Sequence, residues 1–544
     1  MVTSLKRRKV LGSLLVGGLT QGCGGGAAGS SSSSPPAPAT AIPLATGTPT
    51  ATPPATDSVA LPVTTPTEKS ADSAAPAAQQ PSGAAANIEL PTTPAAEPVA
   101  VAGPKLAALA LQPLYIAHRG GSAPYPEETL IAYDQCVQDG ALLLESDLQM
   151  TRDGTPVLMH DGSVDRTTTA SGTIAAMSDA DWMALRIDAN SWHGSNYGNA
   201  LHAPTFKEWV QRYRGKVIFV PEIKDERALQ AMLAILGGLQ VDREQVLVQS
   251  FSLTQLQTVQ QAGYTGCLLD NGTGNPQAAF AAGIKWAGIS NSASDAVLKE
   301  WVGSGLKVLQ WTVSRRFQRD AGLAAGVAGF FSDDPVYLRA SKALASSDQF
   351  ASGTWAPGML GNGSDTALNL RGEFFSGGYW GYSSNRSDYL GCLHGYLGPF
   401  VAAAQARRVT ISMKISFDSL SNDAFGFASI FLGVDDKPFL NGNESSAGYH
   451  LILRKNGVIE IHRKALLANA AVLTATGGAP IADGEEVRYR IDLTDDSVSV
   501  ARIGSDGTAI QTAQARDATY HVGYLHLGRG ALACRFRQLS VQPG

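Results

Sequence analysis

Ala141-Leu-Leu-Leu-Glu-Ser-Asp-Leu-Gln-Met150, then Thr151-Arg-Asp-Gly-Thr155, then Pro156-Val-Leu-Met-His160, is the stretch on which the count of strands turns. Around it, from Leu114 to about Leu338, short apolar runs alternate with longer helical patterns, the texture of a repeated βα unit. The candidate strands are Leu114–Ala117, Ala141–Met150, Pro156–His160, Val217–Glu222, Gln245–Ser250, Gly266–Leu269, Lys285–Ile289, Lys307–Val313 and Val327–Phe331. Parallel neighbours need a crossover of roughly a dozen residues, and Thr151–Thr155 is too short for one. Pro156–His160 must therefore return as a hairpin, with Asp153-Gly154 supplying the turn chemistry. Eight parallel strands remain, which predicts an α/β fold with a closed TIM-type (β/α)8 barrel.

The same stretch carries chemistry. Glu145 and Asp147 are two apart and share a strand face, among Leu142, Leu143, Leu144 and Leu148. A solvated strand face would explain them, but charges in a buried strand require compensation. The first strand ends in His118-Arg119-Gly-Gly, at the barrel end where active sites form, and a later strand delivers Glu222 with Lys224 two residues on. Three carboxylates in oxygen-rich surroundings suit one divalent cation, Mg2+ or Ca2+, better than zinc. The hairpin brings His160 back to the level of Ser146 and Asp147. Two histidines beside a metal-bound phosphate suit acid and base roles, because an imidazole pKa of ~6.5 gives access to both forms near neutrality. Arg119 offers a fork of donors to phosphate oxygens and Lys224 a point charge, although Lys224 pairing with Glu222 is the plainer alternative. Trp311 is a candidate substrate wall or a piece of barrel packing.

These motifs resemble the glycerophosphodiester phosphodiesterase family in order and spacing: His118-Arg-Gly, Pro126-Glu-Glu-Thr129, Glu145-Ser-Asp147, Asp153 through His160-Asp161, Asp165-Arg166-Thr-Thr, and Glu222-Ile-Lys224. Gln249-Ser-Phe251, Gln310-Trp-Thr-Val313 and Ser332-Asp-Asp-Pro335 are similar to its later motifs. The resemblance covers about Leu114 to Leu338. It implies hydrolysis of glycerophosphodiesters to an alcohol and glycerol 3-phosphate. Glu145, Asp147 and Glu222 would be metal ligands, His118 and His160 acid and base, and Arg119 and Lys224 phosphate contacts. It favours a glycerol hydroxyl over water as nucleophile. Glu128 departs from it, standing where the family usually has Asn. Residues 161–204 resemble the family's insertion, expected to cover one side of the site.

Ahead of the barrel, Lys6-Arg-Arg-Lys9 and the apolar run Val10–Leu19 read as an export signal, twin-arginine or general secretory. The run is short of the about 20 residues that a membrane-spanning helix needs. Leu19-Thr-Gln-Gly-Cys23 looks like a lipoprotein cleavage site with Cys23 as the lipidated residue, against the alternative of a soluble secreted protein cut nearby. Membrane attachment through Cys23 and a periplasmic or cell-surface location follow as expectations. Residues 24–104 are dominated by Ala, Pro, Ser, Thr and Gly and bury too little apolar area to order themselves, so they are expected to be a tether. Roughly 80 flexible residues reach ~50 Å. The net charge of −5, with no basic run beyond the N-terminus, argues against a nucleic-acid partner.

The barrel is expected over residues 105–345. From 346 to 544, alternating strands separated by Gly/Ser/Asn-rich turns predict a second, all-β sandwich of some ten strands, similar to laminin-G or concanavalin-like jelly rolls. Lys455-Asn-Gly457 and Thr494-Asp-Asp-Ser497 are its clearest hairpin turns. Of five cysteines, Cys392 and Cys534 are a candidate bridge within it. Tyr379-Trp380-Gly-Tyr382 is a candidate sugar platform or core, and Asp435-Asp436 with Asn441-Gly-Asn-Glu444 a candidate Ca2+ loop or a solvated one. Two further functions stay open: a related phosphodiesterase acting on phospholipids or glycerol-phosphate wall polymers, and a surface glycan-binding protein with an inactive barrel.

Overall fold

The computed structural model describes residues 103–544 except 190–192, 194–196, 199, 354–357, 363–372, 376, 382–388, 399–407, 419–425, 438–445, 466–470 and 531–532. The export signal, Cys23, the tether, Tyr382 and the 441–444 loop lie outside the described residues, as does the side chain of Cys392.

A short helix α1 (Leu106–Leu109) leads into β1 (Leu114–Ala117), α2 (Leu130–Gln138) and β2 (Leu143–Met150). After β2 come β3 (Pro156–Leu158), α3 (Asp179–Ala184) and α4 (Phe206–Tyr213). Six strand–helix pairs complete the ring, the first five being β4 (Ile218–Ile223) with α5 (Ala228–Gly238), β5 (Leu247–Ser250) with α6 (Leu253–Gln261), β6 (Thr265–Asp270) with α7 (Pro276–Ala281), β7 (Trp286–Ser290) with α8 (Asp295–Gly303), and β8 (Lys307–Trp311) with α9 (Arg316–Ala325). The last pair is β9 (Gly329–Ser332) and α10 (Pro335–Arg339). Parallel pairing of β1 with both β2 and β9 closes an eight-stranded barrel. At the closing seam Leu114 faces Gly329, where a Cβ would lie 2.6 Å from the Leu114 carbonyl oxygen, so only glycine lets the strands meet.

β3 is the predicted hairpin return. It pairs antiparallel with β2, Leu148 opposite Leu158 and Met150 opposite Pro156, and the Met159 N–H donates to the Asp147 carbonyl at 2.9 Å. His160 therefore stands one step beyond Asp147, at the level of Ser146. Alternate β2 residues turn to opposite sides of the barrel wall. Leu144 and Leu148 pack with Phe206, Trp209, Val210 and Tyr213 of α4, whose i, i+3, i+4, i+7 spacing makes one apolar stripe. Glu145 and Asp147 are left pointing inward.

The second unit of structure is two seven-stranded antiparallel sheets, fourteen strands among the described residues against the ten expected. One sheet includes β10 (Leu360–Asn362), β13 (Tyr389–Tyr396), β15 (Phe427–Gly433), β16 (Gly448–Arg454), β17 (Ile459–Lys464), β18 (Ala471–Thr476) and β22 (Tyr524–Gly530); the other includes β11 (Glu373–Phe375), β12 (Tyr379–Gly381), β14 (Arg408–Phe417), β19 (Val487–Thr494), β20 (Ser497–Ile503), β21 (Ala509–Arg516) and β23 (Cys534–Pro543). The inward residues of both, such as Ile411, Met413, Ile430, Leu451, Ile491 and Leu527, form one core. Both predicted hairpins are present, β16–β17 around Lys455–Gly457 and β19–β20 around Thr494–Ser497. For Trp380 the core alternative holds, and the candidate bridge is corrected. Trp380 is fully buried against Phe350 and Phe536, which removes it from any sugar platform. Cys534 is a buried free thiol, so it is not half of a bridge.

Candidate active site

The residues singled out in the sequence converge at the C-terminal ends of the barrel strands. β2 and β4 are parallel neighbours with Asp147 opposite Glu222, which places Glu222 beside the two inward carboxylates of β2. One oxygen from each of Glu145, Asp147 and Glu222 lies within 4.8 Å of the others, and all three residues are buried. Glu145 accepts from the Arg119 backbone N–H at 2.7 Å and from Gln249 Nε2 at 2.9 Å. Arg119 Nε stands 3.1 Å and Lys224 Nζ 3.4 Å from the Asp147 oxygens, while Lys224 also lies 2.8 Å from Glu222. Neither buried Asp147 oxygen accepts a well-formed hydrogen bond. Buried carboxylates are normally satisfied, so these oxygens are suited to a cation.

The electrostatics agree. Burial, then the neighbouring Asp147, pushes Glu222 up to about 7. Burial, Asp147 and Glu128 push Glu145 well above the usual carboxylate range. Burial acts on Asp147 in the same direction, but Arg119 and Lys224 outweigh it and hold that carboxyl at about 2. Carboxyls this close cannot all ionise without positive charge among them, and oxygen donors alone suit a hard divalent ion.

Both histidines are held the same way. His118 Nδ1 lies 2.6 Å from Asp333 Oδ1 and His160 Nδ1 2.7 Å from Asp161 Oδ1. A carboxylate on Nδ1 fixes the tautomer with Nε2 free for proton transfer. A cavity of about 240 Å3 is lined by His118, Arg119, Glu145, His160, Glu222 and Lys224 on one side and by Phe251, Leu269, Trp311 and Phe331 on the other. Trp311 donates from Nε1 to the Gly288 carbonyl at 3.0 Å and meets Phe251 edge to face, so it is at once packing and wall. A second cavity, about 210 Å3, opens on the other side of His118 and Arg119 and is bounded by Arg166, Thr167, Ile187, Ala189 and His193 of the 161–204 segment. That segment does flank one side of the site.

Four contributors were not assigned from sequence. Asp161 and Asp333 sit inside quoted motifs, and a carboxylate adjoining a strand-end histidine is the available signal. Arg166 donates to Asp161 at 2.6 Å and to both Glu127 oxygens at 2.8 and 2.7 Å, tying the insertion to His160. Glu128, the departure from the family motif, lies buried behind the triad. It accepts from the Asp147 N–H at 2.8 Å and shares a hydrogen bond with the Tyr133 hydroxyl. Asp436, read from sequence as part of a Ca2+ or solvated loop, is neither; it is buried against α9 and α10 of the barrel.

Residues 118–337 match the model of the Glycerophosphoryl diester phosphodiesterase family. A Caldanaerobacter subterraneus protein named glycerophosphodiester phosphodiesterase is 28% identical over 243 residues, 42% of this chain and 97% of that protein. A Bacillus subtilis protein of the same name is 32% identical over 164 residues, 27% of this chain and 55% of that protein. Among solved structures, an Oleispira antarctica phosphodiesterase in complex with the product sn-glycerol-3-phosphate is 24% identical, covering 43% of this chain and 97% of that one with a TM-score of 0.38. The barrel, across residues 118–337, is a domain of the glycerophosphoryl diester phosphodiesterase family.

Proposed function

We propose that the barrel hydrolyses glycerophosphodiesters to an alcohol and glycerol 3-phosphate. Glu145, Asp147 and Glu222 would hold one divalent cation, Mg2+ or Ca2+, and His118 and His160 would act as acid and base. The observation that carries this reading is the pair of Asp-anchored histidines lining one cavity with a buried acidic triad. The cation would supply charge neutralisation at the phosphoryl oxygens. Arg119 and Lys224, already inside the cluster, orient and further neutralise the diester. Each histidine, held at Nδ1, presents Nε2 to the cavity, one to take a proton from the nucleophile and the other to protonate the departing alkoxide. The apolar wall of Phe251, Leu269, Trp311 and Phe331 takes the carbon skeleton of one alcohol.

The test is release of glycerol 3-phosphate from several glycerophosphodiesters by the full chain, with and without chelator. Chelator-sensitive release that disappears in His118→Ala and His160→Ala proteins of unchanged fold is expected. Undiminished turnover in either variant would sink the histidine roles. Release from phospholipid or wall polymer alone would transfer the assignment to a related phosphodiesterase. The proposal extends to an exported protein tethered through residues 24–104 and lipid-anchored at Cys23, which rests on the N-terminal sequence; labelling with a radioactive fatty acid, lost on Cys23→Ala, tests it.

A further inference from the structure

Two of the barrel's longer helices, α5 and α9, lack a side-chain cap of their own, and α9 is the one that meets the β-sandwich. Its N-cap residue is Arg315, whose side chain makes no capping bond, whereas α2, α4, α6 and α8 are capped by Thr129, Thr205, Ser252 and Ser294. The acceptor comes from the β-sandwich. Asp436, buried in the turn after β15, accepts from the backbone N–H groups of Arg316 at 2.6 Å and Phe317 at 2.9 Å. The Asp436 carbonyl accepts from Arg315 Nη1 at 2.7 Å. The same carboxylate accepts from the Tyr337 hydroxyl of α10 at 3.0 Å. One side chain of the second domain thus fixes the starts of two neighbouring barrel helices.

Those two starts flank Asp333, whose carboxylate also accepts from Ser122 Oγ at 2.8 Å and whose carbonyl accepts from the Ala123 N–H at 2.9 Å. Immediately before α9, Ser314 Oγ accepts from the Asp333 backbone N–H at 3.1 Å. Immediately after Asp333, Asp334 caps α10 by accepting from Tyr337 N at 3.0 Å. Asp333 in turn pairs with His118 Nδ1 at 2.6 Å. A displacement of either segment moves the carboxylate that sets the orientation of the imidazole, while the acidic triad, on β2 and β4, is untouched.

We propose that Asp436 is a positioning residue for His118, so that the sandwich completes the barrel's active site instead of being appended to it. The catalytic consequence rests on the reading of His118 as acid or base; the structural coupling does not. The test uses the full chain labelled with 15N-histidine. A proton on His118 Nδ1 bonded to a carboxylate gives a low-field resonance, assigned by its loss in His118→Gln. In Asp436→Asn, with circular dichroism unchanged, that resonance is expected to shift or broaden. Roughly a tenfold to hundredfold fall in kcat is expected, the scale of a small misplacement of a reacting group, with little change in KM or in cation affinity. Lys437→Ala, which removes the ammonium over the Phe317 ring and its ion pair with Asp435 at the same junction but leaves the Asp436 carboxylate in place, should leave the resonance where it is. An unmoved resonance and unchanged kcat in folded Asp436→Asn would overturn the proposal, as would an equal response to Lys437→Ala. Should Asp436→Asn not fold, Tyr337→Phe removes one of its bonds and decides by the same resonance. A parent protein without phosphodiesterase activity whose resonance still responds would refute the proposed function and leave this coupling intact.

Discussion

If the acidic triad holds the cation as proposed, binding releases protons, and the size of that release follows from the three carboxyls. Asp147, held at about 2 by Arg119 and Lys224 against the effect of burial, is ionised at every pH of interest and releases nothing. Glu222, pushed up to about 7 by burial and Asp147, is mostly protonated at pH 6 and mostly ionised at pH 8. A cation that needs it ionised should gain roughly tenfold in affinity across that interval from Glu222 alone, and Glu145, raised further, adds to the gain. The sign for stability without cation is opposite. A carboxyl whose value rises from 4.5 to about 7 on folding binds more protons in the folded state. Its stabilisation is fullest at pH values below the unfolded value and is lost as pH rises through the folded one. Between pH 6 and pH 8 that loss is about 1 kcal/mol, or roughly 2–4 °C in the midpoint of a domain this size. Calorimetric titration of Mg2+ and Ca2+ in buffers of different ionisation enthalpy counts the protons directly, and melts in chelator at the two pH values test the stability arm. Equal affinity at pH 6 and pH 8 with no proton released would refute the triad as the cation site.

Three further outcomes follow from contacts in the two domains. Arg166→Ala frees both Asp161 and Glu127, whose carboxyl the Arg166 and Arg119 guanidiniums hold at about 2 despite burial; discounted for partial exposure, about 2 kcal/mol of stability should be lost in a thermal melt, with His160-dependent turnover reduced roughly tenfold. Trp311→Ala removes the largest face of the apolar wall and should raise KM several-fold more than it lowers kcat in steady-state assays across alcohol groups. Ile430→Ala empties a fully buried site between the two sheets and should cost about 2–5 kcal/mol, read as a lower denaturant midpoint of the sandwich transition.

The barrel was legible because its logic is local. A five-residue connection forbids a parallel crossover whatever lies around it, so the sequence alone makes β3 a hairpin return and sets His160 beside Asp147. The acidic triad was legible for a similar reason: charges two apart in an apolar strand need a partner. Asp333 and Arg166 were not, because Asp333 acts on His118 across 215 positions and Arg166 ties Asp161 to Glu127, 39 positions before it, and each motif is complete without these partners. Asp436 is hidden in the sequence because an Asp-Asp pair between strands has the composition of a solvated turn, and only the packing of one domain on the other shows that it caps a helix 120 residues away. The sandwich was recognised as all-β, but strands of three residues such as Leu360–Asn362 carry no alternation to count.

Glu128 decides the charge of the site. Its backbone is left-handed (φ 55°), a conformation that Asn tolerates better, which accounts physically for the family's usual residue there. The Tyr133 hydroxyl lies within hydrogen-bond distance of both Glu128 Oε2 and the Glu145 carbonyl, the latter at 3.1 Å, yet it has one proton to give. Both contacts are satisfied when Glu128 is protonated and donates to Tyr133, which then donates to Glu145. Burial and the adjacent Asp147 push Glu128 well above the usual carboxylate range, in the same direction. With Glu128 neutral, the ionised Glu145, Asp147 and Glu222 of the cation-bound site face Arg119 and Lys224, leaving one negative charge; a divalent cation makes the site singly positive, matched to a phosphodiester. Glu128→Gln reproduces the neutral hydrogen-bonding pattern and should keep cation affinity and turnover within about threefold of the parent. Glu128→Ala strands the Asp147 N–H, at about 1–3 kcal/mol for a buried group, while the Tyr133 hydroxyl keeps the Glu145 carbonyl as its acceptor. If Glu128→Gln instead lost cation binding as fully as Glu128→Ala, Glu128 would be a charged member of the site and this charge balance would be wrong.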